Sequence, residues 1–321
     1  MRDRGTVIQS SASGVPSSKL AGPSSLYRAE IWRLGLALVR VLPFKVCVWV
    51  SHFVADACWI IAKHRREIII QNVSPALAGN TASARKTARE LFHQFSRKII
   101  DLWRYEAGLP IDDLFGEYSG WEHFVEAQKQ KRGVLLITPH LGNWEFGAPW
   151  LARRGVTLQV ITMAEPTQDF TKLRQASRAR WNIETLVIGE DPFGFLEVIK
   201  RLEAGATVAL LADRPPPPTA VTVELFGRPF LASIAGAELA RASGCVLLPV
   251  YLPRAGQGYA AHLLPAIPYD RAALGNRAAR QQLTQEIVRV FEPVIRRHLN
   301  QWYHFVPIWD TQMGQDAKIL P

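Results

Sequence analysis

Cysteine is scarce: three in 321 residues, at Cys47, Cys58 and Cys245. Their wide spacing fits neither a disulfide framework nor a thiolate metal site, and the usage suits a reducing compartment. No G-x-G-x-x-G or G-x4-G-K-[ST] stretch occurs, so nucleotide binding has no sequence support. Neither H-E-x-x-H nor another paired-histidine ligand motif occurs, and no catalytic metal or other cofactor is expected. Long apolar runs are also missing. In the most apolar part of the chain, Ile31 to Ala62, the longest uncharged stretch is Val46 to Ala55, ten residues. A helix that spans a bilayer needs about 20. Residues 1–25 are rich in Ser, Gly and Pro and lack the charged-then-apolar order of a secretory signal; they read as a disordered tail.

What is abundant is positive charge and apolar side chains. The formal net charge is +10 and 48 % of residues are hydrophobic. That apolar fraction suffices for a sizeable core in one large domain, or one domain plus an appendage. The charge calls for an acidic partner: anionic lipid, nucleic acid or an acidic protein such as acyl carrier protein. Charge alone does not choose among them. The ten tryptophans suit a lipid interface and core packing equally.

Ile31 to Ala62 reads as two amphipathic helices divided near Pro43, with Arg40, Lys45, Lys63, Arg65 and Arg66 directed to lipid headgroups. Two other readings stay open: Val46 to Ile61, whose only charged or histidine side chains are His52 and Asp56, dips deeper into the bilayer, or the helical pair packs on a soluble core. Thr81 to Gly108 has helical spacing, with Leu91, Phe92, Phe95, Ile99, Leu102 and Trp103 as an inner stripe. From residue 133 to about 250, short apolar runs alternate with helical patterns. That order predicts an α/β fold with a largely parallel central sheet covered by helices on both faces, following an N-terminal helical, membrane-associated segment. The expected division is a tail at 1–25, a helical region at 26–118, an α/β domain at 119–310 and a second tail at 311–321.

The stretch that carries chemistry is Gly133 to Gly147, GVLLITPHLGNWEFG. Val134 to Ile137 reads as a buried strand that breaks at Pro139. Asn143 reads as the N-cap of a helix reaching Arg153 or Arg154. His140 then sits at the carboxyl end of a strand, where open α/β sheets bind ligands. Glu145, in the first helical turn, is expected to return toward His140 and hold it as a general base of fixed tautomer. No serine or cysteine lies within this stretch, so the pair would act on a substrate hydroxyl directly. The bland alternative is a turn-capping histidine beside a solvated glutamate.

HLGNWE, with its apolar strand before it, resembles the H-x4-D/E motif of glycerolipid-type acyltransferases. The chain from about Leu34 to Trp309 resembles the bacterial lipid A biosynthesis acyltransferase family more specifically. A second block carries that likeness: VALLAD ending at Asp213, VTVELFGRPF from Val221 to Phe230, and GAELARASGCVLLPV from Gly236 to Val250. The basic run before Asn72-Val73 and the aromatic close from Gln301 to Trp309 also resemble recurrent features of that family. Many members carry Asp-Gln where this chain has Asp213-Arg214 followed by four prolines.

The resemblance implies an O-acyltransferase at the cytoplasmic face of the inner membrane. The donor would be an acyl thioester on acyl carrier protein or coenzyme A, the acceptor a hydroxyl of a lipid A precursor or related glycolipid, with no nucleic acid partner. Phosphatidylinositol mannoside or ornithine lipid acceptors, and a non-catalytic basic membrane-binding protein, stay open. His140 and Glu145 are the expected catalytic residues. Arg178, in the cationic cluster Lys172, Arg174, Arg178 and Arg180, falls where the family places an arginine. Asp213, at another strand end, would orient the acceptor or anchor its loop. Arg228, in the turn before Pro229, would meet an anion; Arg178, Asp213, Arg228 and Asn143 are together the expected substrate-binding residues.

Overall fold

The computed structural model describes residues 29–163, 168–188, 193–216 and 219–309. The expected tails at 1–25 and 311–321, and half of the four-proline loop, lie outside them. The apolar start of the described chain folds into α1 (Ala29–Val41) and α2 (Phe44–Ile61), broken at Pro43, whose missing N–H and fixed φ suit the start of a helix rather than its middle. α3 (Lys63–Val73) follows, then α4 (Thr81–Glu106), 26 residues long and capped by Asn80, whose side chain accepts from the Ser83 N–H at 2.9 Å. Leu91, Ile99 and Leu102 of α4 face inward, as their spacing requires. The same helix packs against α1, α2 and α3 and brings Lys98 and Glu106 into the interior.

The remaining elements alternate. They are β1 (Phe115–Ser119), α5 (Trp121–Lys129), β2 (Val134–Thr138), α6 (Gly147–Ala152), β3 (Leu158–Met163), α7 (Gln168–Ala179), β4 (Glu184–Ile188), α8 (Phe193–Glu203) and β5 (Thr207–Leu211). A hairpin of β6 (Ala220–Leu225) and β7 (Arg228–Ser233) precedes α9 (Ala235–Ser243). Then come β8 (Val246–Tyr251), β9 (Arg254–Ala255), β10 (Gly258–Leu263) and α10 (Arg277–Arg297). The main sheet runs β1-β10-β8-β2-β5-β3-β4, with β9 beside β10. All its pairs are parallel except β10 with β8 and with β9. The largely parallel sheet is therefore as expected. β10 is interior, because β1 adds in parallel outside it. Arg228 and Pro229, expected in a turn, begin β7. It is a strand because Phe226 and Gly227 take φ of 53° and 72°, a two-residue reversal that folds 228–233 back on β6.

β2 is buried along its whole length. Leu135 and Ile137 enter a core with α8, α9 and α10, whereas Val134 and Leu136 enter a second core with α1, α4, α5 and α6. Both faces are covered, which is why the strand reads as continuously apolar. β2 lies between β5 and β8. The chain runs from β2 to one side through β3, β4 and β5, then crosses back to β8. The carboxyl end of β2 is thus a switch point, where a crevice opens.

α2 is the element that the core leaves uncovered. Trp49, Phe53, Ile60 and Ile61 are each more than 60 % exposed. Its one acidic residue, Asp56, is paired with Arg89 at 2.9 Å and His93 at 3.1 Å. By length and composition α2 is apolar enough to cross a membrane, and only 17 % of it is buried in the protein.

Candidate active site

β2 and β5 pair in register, Thr138 against Leu211. Two residues beyond those partners stand His140 and Asp213, side by side at the same sheet edge. His140 Nδ1 lies 2.6 Å from Asp213 Oδ1, and the His140 backbone N–H donates to both carboxylate oxygens at 3.0 and 2.9 Å. An ionised carboxylate only accepts, so Nδ1 carries the proton and Nε2 is left with its lone pair. Asp213 Oδ2 accepts two further bonds, from Trp302 Nε1 and His304 Nε2, both at 2.9 Å. Although burial opposes its charge, these imidazoles hold Asp213 well below the usual carboxylate range. Burial, and then the nearby Arg214, push His140 down to about 4, against the pull of Asp213, so His140 is neutral at pH 7.

The motif turn is held by backbone bonds. Gly142 N–H donates to Gln301 O and Asn143 N–H to Leu252 O, both at 2.9 Å. Gly142 has φ of 62°, and a Cβ there would run into the Leu252 carbonyl oxygen; only glycine allows that approach. No regular helix starts at Asn143. Trp144–Phe146 is a single tight turn, and α6 begins at Gly147. Pro149 explains the delay, since its ring would collide with the Glu145 carbonyl of a continuous helix. Asn143 is fully buried and does not cap through its side chain, and neither end of its amide has a hydrogen-bond partner among the described residues.

Glu145 does not hold His140, which corrects the expected pairing. Its carboxylate is taken by Arg174 Nη2 at 2.6 Å and by Arg178, with Nη2 at 2.9 Å and Nε at 3.2 Å. Two guanidiniums offer several charge-assisted bonds, whereas a neutral imidazole whose Nδ1 is already engaged by Asp213 offers none. Burial opposes the Glu145 charge, but Arg174 and then Arg178 outweigh it and bring the carboxyl down to about 2. Arg174 also reaches Glu106 of α4, which binds the Trp32 indole of α1. Glu145 therefore fastens the motif turn to three helices. The Lys98 ammonium, buried, sits 2.9 Å from the centroid of the Trp144 ring, and Trp144 packs edge-on to His140.

These groups open into one cavity of about 900 Å³. His140, Glu145, Arg174, Arg178 and Arg214 line its polar end. Mostly apolar residues line the rest, among them Leu38, Val50, Val54, Ala148, Leu151 and Leu158. The volume and lining fit a long aliphatic chain with its reactive end at the imidazole. Arg228, expected at an anion, stands on the exposed hairpin and does not line the cavity; the reversal at Phe226-Gly227 carries it outward. Among the described residues no group of His, Cys, Asp and Glu is arranged to hold a metal.

The bacterial lipid A biosynthesis acyltransferase model matches residues 25–311, most of the chain. The chain belongs to that family. It is 27 % identical to a phosphatidylinositol mannoside acyltransferase of Mycobacterium tuberculosis over 65 % of this chain and 63 % of that one, so the match spans under two thirds of that relative. A protein of the same name from Mycolicibacterium smegmatis is 24 % identical over 74 % of each chain. The lipid A biosynthesis lauroyltransferase of Escherichia coli is 33 % identical over 46 % of this chain and 48 % of that one. Family and relatives alike are enzymes that transfer acyl groups.

Proposed function

We propose that the protein moves a fatty acyl group from an acyl thioester, carried by acyl carrier protein or coenzyme A, to a hydroxyl of a membrane glycolipid. The acceptor is of the lipid A precursor or phosphatidylinositol mannoside type, as the names of the relatives suggest. The observation that carries the reading is a neutral imidazole with a free Nε2 at the polar end of an otherwise apolar cavity. His140 Nε2 takes the acceptor's hydroxyl proton as its oxygen attacks the thioester carbon. The imidazolium is stabilised by Asp213. The tetrahedral intermediate collapses, the C–S bond breaks, and the imidazolium returns its proton to the departing thiolate. Developing negative charge on the carbonyl oxygen meets the field of Arg178, Arg174 and Arg214. Transfer is direct, with no acyl-enzyme, because the motif stretch from Gly133 to Gly147 holds no serine or cysteine beside His140.

The exposed apolar face of α2, flanked by Arg40 and Lys45 on one side and Lys63 and Arg65 on the other, supports seating at the cytoplasmic face of the inner membrane. Lipid then reaches the cavity between α1 and α2. The test is transfer from a radiolabelled acyl thioester to extracted glycolipid by the wild type and by folded His140→Ala. Acylated lipid from the wild type alone supports the reading; equal transfer by both removes it. Free fatty acid as the sole product would make the enzyme a thioester hydrolase.

A further inference from the structure

The second histidine on Asp213 comes from the end of the chain, 91 positions away. Residues 301–303 run antiparallel to the motif turn: Leu141 bridges Trp302, Gly142 N–H donates to Gln301 O, and Tyr303 N–H donates to His140 O at 2.9 Å. The segment thus touches the site twice, through backbone bonds to the turn and through Trp302 and His304 to the carboxylate. Its outer half is fastened elsewhere. Asn72, at the end of α3 and 2 % exposed, donates from Nδ2 to the His304 carbonyl at 3.0 Å and the Val306 carbonyl at 2.8 Å. Asn72 Oδ1 accepts from the Ile308 N–H at 3.3 Å, and its backbone carbonyl accepts from Trp309 Nε1 at 2.9 Å. One buried amide is therefore the clasp of a strap whose inner residues grip Asp213.

We propose that this strap, clasped by Asn72, sets the position and the basicity of the catalytic base: His304 and Trp302 are positioning residues that act on His140 through Asp213. This rests on His140 being the general base of acyl transfer. The physical argument is hydrogen-bond competition. Each donor that Asp213 accepts localises its charge and leaves less of it for an imidazolium at His140. Donors on Oδ2 also fix the carboxylate rotation that presents Oδ1 to Nδ1. The charged and titratable groups around His140 are Asp213 and Arg214 beyond β5, His304 on the strap, Lys98 of α4 behind the Trp144 ring, and Glu145, Arg174 and Arg178 at the same end of the cavity. Of these, His304 and Asp213 are the two that the strap controls.

The test uses the full-length enzyme in membranes or detergent and four variants: His304→Phe, His304→Gln, Trp302→Phe and Asn72→Ala. His304→Phe removes the donor and keeps a ring. Its kcat is expected to fall about tenfold to a hundredfold, with both KM values within about twofold of wild type, and the acid limb of the kcat profile is expected to move to higher pH. His304→Gln, which places an N–H at similar reach, should restore the limb and most of kcat. Trp302→Phe should move the limb in the same direction by less, and it decides the matter if His304→Phe does not fold. Asn72→Ala should reproduce the His304→Phe signature. An unmoved limb, or a loss of kcat that Gln does not rescue, overturns the proposal and makes the strap a packing element only. His140→Ala separates the two levels. If it is active, the reading beneath has failed; if it is dead while the limb of the strap variants stays in place, only the strap's role has failed.

Discussion

Two carboxylates share the polar end of one cavity and have been given opposite work. Asp213 faces histidines and an indole, holds its charge with neutral donors, and touches His140, whose Nε2 keeps its lone pair toward the cavity. Glu145 faces Arg174 and Arg178, which absorb its charge completely, and it meets no imidazole. Position in the sequence suggests the reverse, since Glu145 is five residues from His140 and Asp213 is 73. What decides the partnership is the sheet register, which carries Asp213 to His140, and the supply of guanidinium groups on α7, which carries Glu145 away. A motif spacing identifies which residues share a site; it does not say which of them touch.

Substitutions that separate the two carboxylates test the contrast. His140→Ala removes the base itself and should lower kcat roughly a thousandfold or more, as general-base loss does. Asp213→Asn keeps the size but gives His140 a partner that no longer fixes its tautomer or stabilises its charge. The expected loss in kcat is on the order of a hundredfold to a thousandfold. Glu145→Gln should cost far less in kcat, on the order of tenfold. Its larger effect is on stability, about 3–5 kcal/mol, because buried Arg178 loses its anion and Arg174 loses one of the two carboxylates it bridges; chemical denaturation measures this beside a single-turnover assay. A Glu145→Gln enzyme that loses as much kcat as Asp213→Asn with unchanged stability would dissolve the distinction.

pH sharpens the same comparison. As the proposed general base His140 would work only when neutral, and burial together with Arg214 keeps it so down to about 4. As pH falls from 7, kcat should therefore hold through 6.5, the ordinary histidine value, and drop only as it approaches 4. The sign follows from protonation of the base: a depressed value moves the acid limb down. A limb near 6.5 would mean that His140 is not the titrating group or is not buried in the working enzyme. The smallest expected effect lies farthest from the chemistry. Trp49→Ser with Phe53→Ser on α2 should weaken binding to anionic vesicles, by roughly 2 kcal/mol per side chain, while kcat on a detergent-solubilised acceptor stays near wild type.

Much of the fold is written locally. The continuous apolarity of Val134 to Ile137, the break at Pro43 and the stripe from Leu91 to Trp103 each specify an element through spacing alone. The sheet edge that carries His140 and Asp213 was also legible, because strands that alternate with helices pair in parallel. What was not legible depends on contacts between distant segments. That Glu145 is captured by Arg174 requires α7 to lie over the motif turn. That Trp302 and His304 reach Asp213 requires the chain's end to lie antiparallel to residues 140–142. Lys98 and Glu106 were hidden by their place in a helix that otherwise reads as core. One signal was available for the turn itself: Pro149, four residues after Glu145, rules out a regular helix beginning at Asn143.

Asp213, and not Glu145, fixes the protonation state of His140. Nitrogen-15 NMR of the histidine side chains at pH 7 reads this directly. The expected spectrum is that of a neutral His140 with its proton on Nδ1, unchanged in Glu145→Gln and lost to a tautomer mixture in Asp213→Asn. A His140 signal that moves with Glu145→Gln and ignores Asp213→Asn would contradict it.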